Sequence, residues 1–226
     1  MNISDIAILM PAYNPGRNLK PLLEELLKSI KREHIWVVND GCTDDTQQIL
    51  ENSHVNILVH KENKGKGASL KFGFENLKNE FKAIITMDAD GQHDPSEIPL
   101  FIKAGNEFDL VIGDRQNRSA DMPFIRKGSN WLNTKVVEKL SGMKLKDSQC
   151  GYRLIKTDIL KTIQLKKEHY ELEGELLIKA CKKGFKIGFV PVRTIYNDHA
   201  VSHIKPVDIL RFSKFYLNMI FRGVDV

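Results

Sequence analysis

Residues 84–93 read IITMDADGQH, a hydrophobic run that ends abruptly in Asp88, Asp90, Gln92 and His93. A buried strand fixes the backbone, and its carboxyl edge then presents oxygen donors at alternate positions, where a divalent cation and an anionic ligand can be held together. The stretch therefore predicts a site for a metal-complexed phosphate compound. The alternative is structural, because Asp-Ala-Asp-Gly also forms turns and carboxylates cap helices such as one beginning near Pro95.

Short apolar runs alternate with helical stretches along the first half of the chain. The predicted strands cover residues 6–10, 35–38, 55–59, 83–87 and 110–113, and the predicted helices cover residues 18–30, 44–51 and 66–77. Such alternation indicates an α/β fold, Rossmann-like, with a mostly parallel sheet and helices on both faces. In folds of this class the ligand crevice lies at the carboxyl ends of the strands.

The regular alternation fades after residue 114, and the second half of the chain is organised differently. Helices are predicted over residues 123–140 and 173–183, the latter ended by Gly184, with a strand over 187–190 and an amphipathic segment over 206–222. We interpret residues 1–226 as one domain. Its parts are a nucleotide-sugar and metal half at about 1–114, an acceptor half at about 115–204, and an amphipathic C-terminal helix at 205–226.

The composition argues against several classes of protein. The 226 residues carry a formal net charge of +5, and the lysines are spread without the aromatic interleaving of a nucleic-acid groove, so no nucleic-acid partner is expected. The three cysteines are far apart and fit neither a disulfide framework nor a zinc site. No apolar run reaches the roughly 20 residues that span a bilayer. A cytoplasmic protein is therefore expected.

Polar residues follow each of the first three predicted strands. Tyr13 offers a flat ring that could lie against a base or ribose, although a purely structural loop explains it equally well. Asp40 is expected to be free at the end of the second strand, where it could accept hydrogen bonds from a nucleobase or ribose. Lys66 opens a helix after Gly65, from which it could reach a phosphate. The spacing of a Walker loop is absent, which argues against a P-loop ATPase or kinase.

Four motifs, in this order and spacing, resemble the family 2 glycosyltransferases of the GT-A fold. They are PAYN at residues 11–14, NDGCTDDT at 39–46, NKGKG at 63–67 and DADGQH at 88–93. Within that family the chain is most similar to polyprenyl-phosphate (dolichyl-phosphate) mannose or glucose synthases. Gln92 and His93 follow the paired aspartates, and CGYR at 150–153 resembles a later signature of those enzymes.

The resemblance implies an inverting, metal-dependent enzyme that moves a hexose from a GDP- or UDP-linked sugar to a polyprenyl phosphate. It implies Mg²⁺ or Mn²⁺ at a metal site of Asp88, Asp90 and Gln92, which suits hard oxygen ligands. Asp90 and Arg115 are predicted to be catalytic. The predicted residues for nucleotide-sugar binding are Pro11, Tyr13, Asn14, Asp40, Lys66, Asp88, Ala89, Asp90, Arg115 and Arg126.

The nature of the acceptor stays open in the sequence. A lipid monophosphate is largely ionised near neutral pH, since its second pKa is about 6, and would need no general base. A hydroxyl acceptor would need one, and Asp147 is the candidate, with Glu173 as a second carboxylate that could face the acceptor. The alternatives are therefore a transferase acting on a soluble hydroxyl acceptor and a non-catalytic nucleotide-sugar-binding protein. His93 could ligate a metal or could begin the following helix.

The C-terminal residues 206–222 combine aromatic, aliphatic and cationic side chains. A basic amphipathic helix of this kind can lie in a membrane interface, although packing against the domain or against a second subunit explains the pattern as well. The sequence therefore predicts peripheral contact with the cytoplasmic face of a membrane, and a homodimer, as two open interpretations of this segment.

Overall fold

The computed structural model describes residues 1–115 and 124–195, together with Phe215, Tyr216 and Met219 of the C-terminal segment. The strands are β1 (Ile6–Ala12), β2 (Ile35–Asp40), β3 (Asn56–His60), β4 (Ala83–Thr86), β5 (Leu110–Asp114), β6 (Arg153–Lys156) and β7 (Ile187–Pro191). The helices are α1 (Leu19–Leu27), α2 (Thr46–Ser53), α3 (Lys66–Leu77), α4 (Ile98–Ala104), α5 (Phe124–Ser141), α6 (Thr157–Thr162) and α7 (Glu171–Lys182). The strands and helices predicted within these residues are confirmed, with shifts at their ends.

The strands form one sheet in the order β3-β2-β1-β4-β6-β5-β7. β1 is the centre of a parallel region, in which Ile8 pairs with Ile35 of β2 and with Ile85 of β4. β1 and β4 are almost entirely buried, which is why both read as continuous apolar runs rather than alternating ones. The mostly parallel sheet that we predicted is confirmed, and the carboxyl ends of β1, β2, β4 and β5 meet at one edge.

β6 was not predicted, and it runs antiparallel to both of its neighbours, β4 and β5. It has four residues and begins at Arg153, a charged residue that sequence reasoning assigns to a turn or surface. The side chain of Arg153 is nevertheless buried, because backbone carbonyl oxygens accept its hydrogen bonds. A central strand can therefore start with an arginine here.

The helix expected near Pro95 begins as a 3-10 turn, Pro95–Glu97, and continues as α4. The carboxylate of Asp94 accepts a hydrogen bond from the backbone N–H of Ser96 at 2.9 Å and caps this turn. The capping role that Asp88 or Asp90 would have under the structural alternative thus belongs to Asp94. Asp88 is instead paired with Lys66, and Asp90 accepts a hydrogen bond from the backbone N–H of Gln92 within its own loop.

The C-terminal segment is described at only three residues, and the remainder of the predicted helix at 206–222 lies outside the described residues. Phe215 and Tyr216 are buried, and the Lys167 ammonium lies 5.2 Å from the centroid of the Phe215 ring. These two aromatic side chains therefore pack against the domain. Within the described part of the chain, none of the helices is long and apolar enough to cross a bilayer.

Candidate active site

The loop after β4 places Asp88 and Asp90 at the carboxyl edge of the sheet. Asp90 Oδ1 accepts a hydrogen bond from the backbone N–H of Gln92 at 3.0 Å, which fixes its carboxylate. The backbone N–H of Asp88 donates to His93 Nδ1 at 3.1 Å, and the His93 ring stacks on Tyr152 with centroids 4.9 Å apart. His93 thus acts as a buried acceptor that supports the loop. Burial lowers its pKa to about 4, although the Asp88 carboxylate acts in the opposite direction.

Lys66 lies between two carboxylates at the first turn of α3. Its Nζ is 2.6 Å from Asp88 Oδ1 and 3.0 Å from Glu173 Oε1, and only 17% of its side chain is exposed. Burial would raise the pKa of Asp88, but the charge of Lys66, with His93 and a hydrogen bond from Lys66, holds it below its ordinary value. In the structure the Lys66 ammonium contacts two protein carboxylates. Its contact with a phosphate stays a prediction.

The paired aspartates have different electrostatic environments. The pKa of Asp90 is raised, first because the group is buried and second because the ionised Asp88 lies nearby. Two neighbouring carboxylates that resist joint ionisation favour a bound cation, since the cation relieves their repulsion. The charge on this loop therefore suits a metal ion.

The donor atoms also suit Mg²⁺ or Mn²⁺. Such ions are commonly held by one or two carboxylates, with waters and substrate phosphates completing the coordination, rather than by an all-protein cage. Among the described residues, no three His, Cys, Asp or Glu side chains lie close enough together to hold a metal ion by themselves. The assignment of Asp88, Asp90 and Gln92 as metal ligands stays a prediction.

Asp40 is not the free carboxylate that the sequence predicted. It is 2% exposed, and its oxygens accept hydrogen bonds from the backbone N–H groups of Lys64 at 3.0 Å and Gly65 at 2.9 Å. His60 Nδ1 is also 2.7 Å from Asp40 Oδ1. The carboxylate therefore organises the loop before α3 and so sets the position of Lys66. Contact between Asp40 and a base or ribose stays a prediction. It would require the Asp40 carboxylate to give up one of these hydrogen bonds and to form one with the ligand instead.

The loop after β1 is fastened to the loop after β2. Asn14 has a positive φ of 45°, which asparagine tolerates better than most residues. Its Oδ1 accepts from the backbone N–H of Thr43 at 2.8 Å, and its backbone N–H donates to Cys42 Sγ at 3.2 Å. Tyr13, 40% exposed, projects from this loop, while Pro11 is partly buried. Contact between the Tyr13 ring and a base or ribose stays a prediction.

Arg115 follows β5 and forms a bidentate ion pair with Asp147. Its Nε donates to Asp147 Oδ2 at 2.7 Å and its terminal nitrogen donates to Asp147 Oδ1 at 3.1 Å. Asp147 Oδ1 also accepts from the backbone N–H of Gln149 at 2.8 Å. Such a fork fixes the guanidinium plane.

The structure shows that Asp147 is not a surface carboxylate. Asp147 is only 4% exposed, and both of its oxygens accept hydrogen bonds. A base role for Asp147 stays a prediction, and it would need a lone pair that these three bonds leave free. Ala89 is buried beside the two aspartates. The side chain of Arg126 lies outside the described residues.

Two supporting residues of the CGYR motif received no role from sequence reasoning. Arg153, 1% exposed, donates to the carbonyl oxygens of Ser148 at 2.8 Å, Cys150 at 2.7 Å and Glu173 at 2.7 Å. It thereby ties the loop before β6 to the start of α7. Gly151 lies against the ion pair of the site, since a Cβ there would be 2.8 Å from the Lys66 Nζ. The CGYR motif marked these two residues in the sequence. It could not show their roles, because Lys66 and Glu173, which they contact, are distant in sequence.

Comparisons with known proteins show the family of this chain. The family model for glycosyl transferase family 2 matches residues 7–164. A UDP-N-acetylglucosamine–dolichyl-phosphate N-acetylglucosaminyltransferase of Methanococcus voltae is 29% identical, over 93% of this chain and 93% of that protein. An undecaprenyl-phosphate mannosyltransferase of Micrococcus luteus is 27% identical, over 85% of this chain and 84% of that protein.

Among solved structures, glucosyl-3-phosphoglycerate synthase from Mycobacterium tuberculosis, in complex with Mn²⁺, UDP and phosphoglyceric acid, superposes with a TM-score of 0.75. It is 16% identical and matches 99% of this chain and 79% of that one, which bears on the fold alone. The family and the fold that the motifs predicted are both confirmed. The chain belongs to glycosyltransferase family 2 and is a nucleotide-sugar-dependent glycosyltransferase with the GT-A fold.

Proposed function

We propose that this enzyme transfers a hexose from a GDP- or UDP-linked sugar to a polyprenyl phosphate, with inversion at the anomeric carbon and with Mg²⁺ or Mn²⁺ as cofactor. The relatives from Methanococcus voltae and Micrococcus luteus are named for transfer to dolichyl phosphate and undecaprenyl phosphate. Those acceptors share one chemistry, a phosphate monoester on a long isoprenoid chain. The arrangement of carboxylates in this chain supports the same class.

On the donor side, Asp90 and Gln92 would hold the divalent ion, with Asp88 beside them. A bound divalent ion neutralises the charge that develops on the departing nucleoside diphosphate. Arg115 contributes a second positive charge, and its bidentate pair with Asp147 holds the guanidinium in one orientation. Preorganised charges of this kind stabilise a transition state because they need no rearrangement during the reaction.

On the acceptor side, the observation that carries the proposal is the engagement of the nearby carboxylates. Asp147 is paired with Arg115, and Glu173 and Asp88 are paired with Lys66. A hydroxyl acceptor would need a carboxylate to take its proton, and Asp90, the remaining carboxylate of this loop, is assigned to the metal ion in this proposal. A phosphate oxygen attacks the anomeric carbon without losing a proton, while the bond from that carbon to the diphosphate breaks and the nucleoside diphosphate leaves. The site therefore suits an acceptor that is already ionised.

The proposal includes peripheral contact with a membrane, because a polyprenyl acceptor resides in a bilayer. Phe215 and Tyr216 are buried and would not take part in that contact. The test is sedimentation with vesicles of neutral and anionic lipid. Association that requires anionic lipid would support a peripheral contact through the basic residues of the surface. Absence of association with either kind of vesicle would remove this part of the proposal.

The acceptor is tested by comparing two lipids that differ in one group. GDP- and UDP-linked hexoses are incubated with undecaprenyl phosphate or with undecaprenol in detergent micelles containing Mn²⁺, and extraction into organic solvent measures the glycolipid. We expect product from the phosphate alone, with a rate that falls below a pH of about 6 as the acceptor gains its second proton. Transfer to undecaprenol or to soluble hydroxyl compounds, with none to the phosphate, would overturn the proposed acceptor.

A further inference from the structure

One ammonium group in the site is shared by carboxylates from two parts of the fold. Lys66 Nζ contacts Asp88, which follows β4 on the donor side, and Glu173, which lies in the first turn of α7. The side chain of Glu173 is 12% exposed, so this second contact is shielded from solvent. Charges that are shielded from water interact more strongly than surface pairs. The position of Lys66 should therefore depend on both carboxylates.

The backbone around Glu173 is firmly attached to the donor half. The Arg153 guanidinium donates to the Glu173 carbonyl oxygen at 2.7 Å. The backbone N–H of Ala68, in the first turn of α3, donates to the Glu168 carbonyl oxygen at 2.7 Å. A Cβ at Gly67 would lie 2.3 Å from the carbonyl oxygen of His169, so the two chain segments are in direct contact. Glu173 therefore meets Lys66 from a fixed position.

The remaining side of the ammonium is closed by Gly151. A Cβ at this position would lie 2.8 Å from Lys66 Nζ and 2.9 Å from Asp88 Oδ2, so no side chain separates the backbone from the pair. The freedom left to Lys66 is mainly in how closely its ammonium approaches Asp88 on one side and Glu173 on the other. A stronger contact with one carboxylate weakens the contact with the other.

We propose that Glu173 is a positioning residue for the metal site, because by sharing the Lys66 ammonium with Asp88 it sets how available the Asp88 carboxylate is to a divalent cation. The ammonium and the divalent ion compete for the same carboxylate. Without the Glu173 charge, Lys66 pairs fully with Asp88, and the local charge also becomes more positive. Both effects weaken cation binding. This inference rests on the proposed metal dependence of the enzyme.

The test is the affinity of the full-length enzyme for Mn²⁺ alone, measured by counting free Mn²⁺ with electron paramagnetic resonance. Glu173→Gln should weaken Mn²⁺ binding by about tenfold, the size typical of a partner that acts on a metal ligand from outside the coordination sphere. Lys66→Met should strengthen it. In the Lys66→Met background, Glu173→Gln should change the affinity by about threefold or less, because the ammonium that links the two residues is gone.

The matched control is Glu168→Gln, which removes a carboxylate 3.7 Å from the Lys71 ammonium with 65% of its side chain exposed, and it should leave Mn²⁺ affinity unchanged. Thermal unfolding shows whether each variant folds. If Glu173→Gln does not fold, Glu173→Asp serves instead, because it keeps the charge but draws it away from Lys66 and should also weaken binding.

Three outcomes would overturn the inference. They are unchanged or tighter Mn²⁺ binding by Glu173→Gln, an equal loss in both backgrounds, and weaker binding by Lys66→Met. The proposed metal site is tested separately by Asp90→Asn. If the wild type binds no Mn²⁺, or if Asp90→Asn binds it equally well, the metal dependence fails together with the inference. If Asp90→Asn abolishes binding while Glu173→Gln has no effect, the inference alone fails.

Discussion

Replacement of Gly151 by alanine tests whether the ion pair of the site must be held in place for catalysis. Gly151 has no positive φ, so the backbone can accept alanine, and the effect comes from the added methyl group. That group would lie 2.8 Å from Lys66 Nζ and 2.9 Å from Asp88 Oδ2. Reaching an ordinary contact of about 3.5 Å requires a shift of roughly 0.7 Å in the ammonium. Both clashing atoms end flexible side chains, so the site should yield before the backbone does.

The expected loss of stability is about 1 to 3 kcal/mol, the usual range for overpacking a buried position. The expected loss in kcat/KM is about 100-fold, because misplacement of site groups by about 1 Å has consequences of that size. This loss corresponds to about 2.7 kcal/mol of transition-state stabilisation. The measurements are chemical denaturation for the free energy of unfolding and initial rates of glycosyl transfer for kcat/KM.

The control is Gly184→Ala, at a glycine with φ of +82° and open space around its Cβ position. This substitution strains the backbone and should reduce the free energy of unfolding by about 1 kcal/mol while leaving kcat/KM unchanged. The reasoning on Gly151 is refuted if Gly151→Ala keeps kcat/KM within about threefold of the wild type, or if the two variants lose activity equally.

Three further substitutions test other parts of the account. Arg153→Met should lower the free energy of unfolding by about 3 kcal/mol or more in chemical denaturation, because three buried carbonyl oxygens lose their charged donor; a loss below about 1 kcal/mol would contradict this. Asp147→Asn should reduce kcat about tenfold by loosening Arg115 without changing the pH profile, whereas loss of a titrating limb would identify Asp147 as a base. For His93, the folded pKa of about 4 lies below the unfolded value of 6.5. Its contribution to the free energy of unfolding is therefore fully present above pH 6.5 and is lost as the pH falls toward 4. In EDTA, His93→Asn should remove about 2 to 3 kcal/mol of that pH dependence, and an unchanged dependence would exclude His93 as its source.

The hydrophobic pattern was sufficient to predict the parallel part of the sheet. β1, β2 and β4 are buried, and each is followed by polar residues at its carboxyl end. Parallel strands bring those ends to one edge, so the position of Asp88 at the same edge as the loops after β1 and β2 follows from topology. The paired aspartates could therefore be assigned to a crevice before any contact was known.

Partners that are far apart in sequence could not be predicted in the same way. Asp40 follows its strand as expected, but its oxygens are taken by backbone N–H groups of Lys64 and Gly65, which the sequence pattern cannot reveal. Asp147 likewise lies 32 residues from Arg115, and only the three-dimensional structure shows them as a pair. In both cases local sequence showed the carboxylate, and tertiary packing decided what it binds.

β6 was missed because burial of a charged residue contradicts the usual pattern. A four-residue strand that starts at Arg153 and ends at Lys156 offers little alternation for a period-two pattern to detect. The three carbonyl oxygens that receive the Arg153 guanidinium belong to the loop before β6 and to α7. Because these three oxygens satisfy the buried guanidinium, Arg153 can be buried without an unpaired nitrogen. The three oxygens come together only when segments distant in sequence pack against each other.

The central claim is that Asp90 helps to hold a divalent ion that is needed for glycosyl transfer. The most direct measurement is the initial rate of hexose transfer to undecaprenyl phosphate by the wild type and by Asp90→Asn, with Mn²⁺ and with excess EDTA. We expect rapid transfer by the wild type with Mn²⁺, recovery of activity when Mn²⁺ is restored after EDTA, and a loss of about 100-fold or more in Asp90→Asn. Equal transfer in EDTA, or an Asp90→Asn enzyme as active as the wild type, would contradict it.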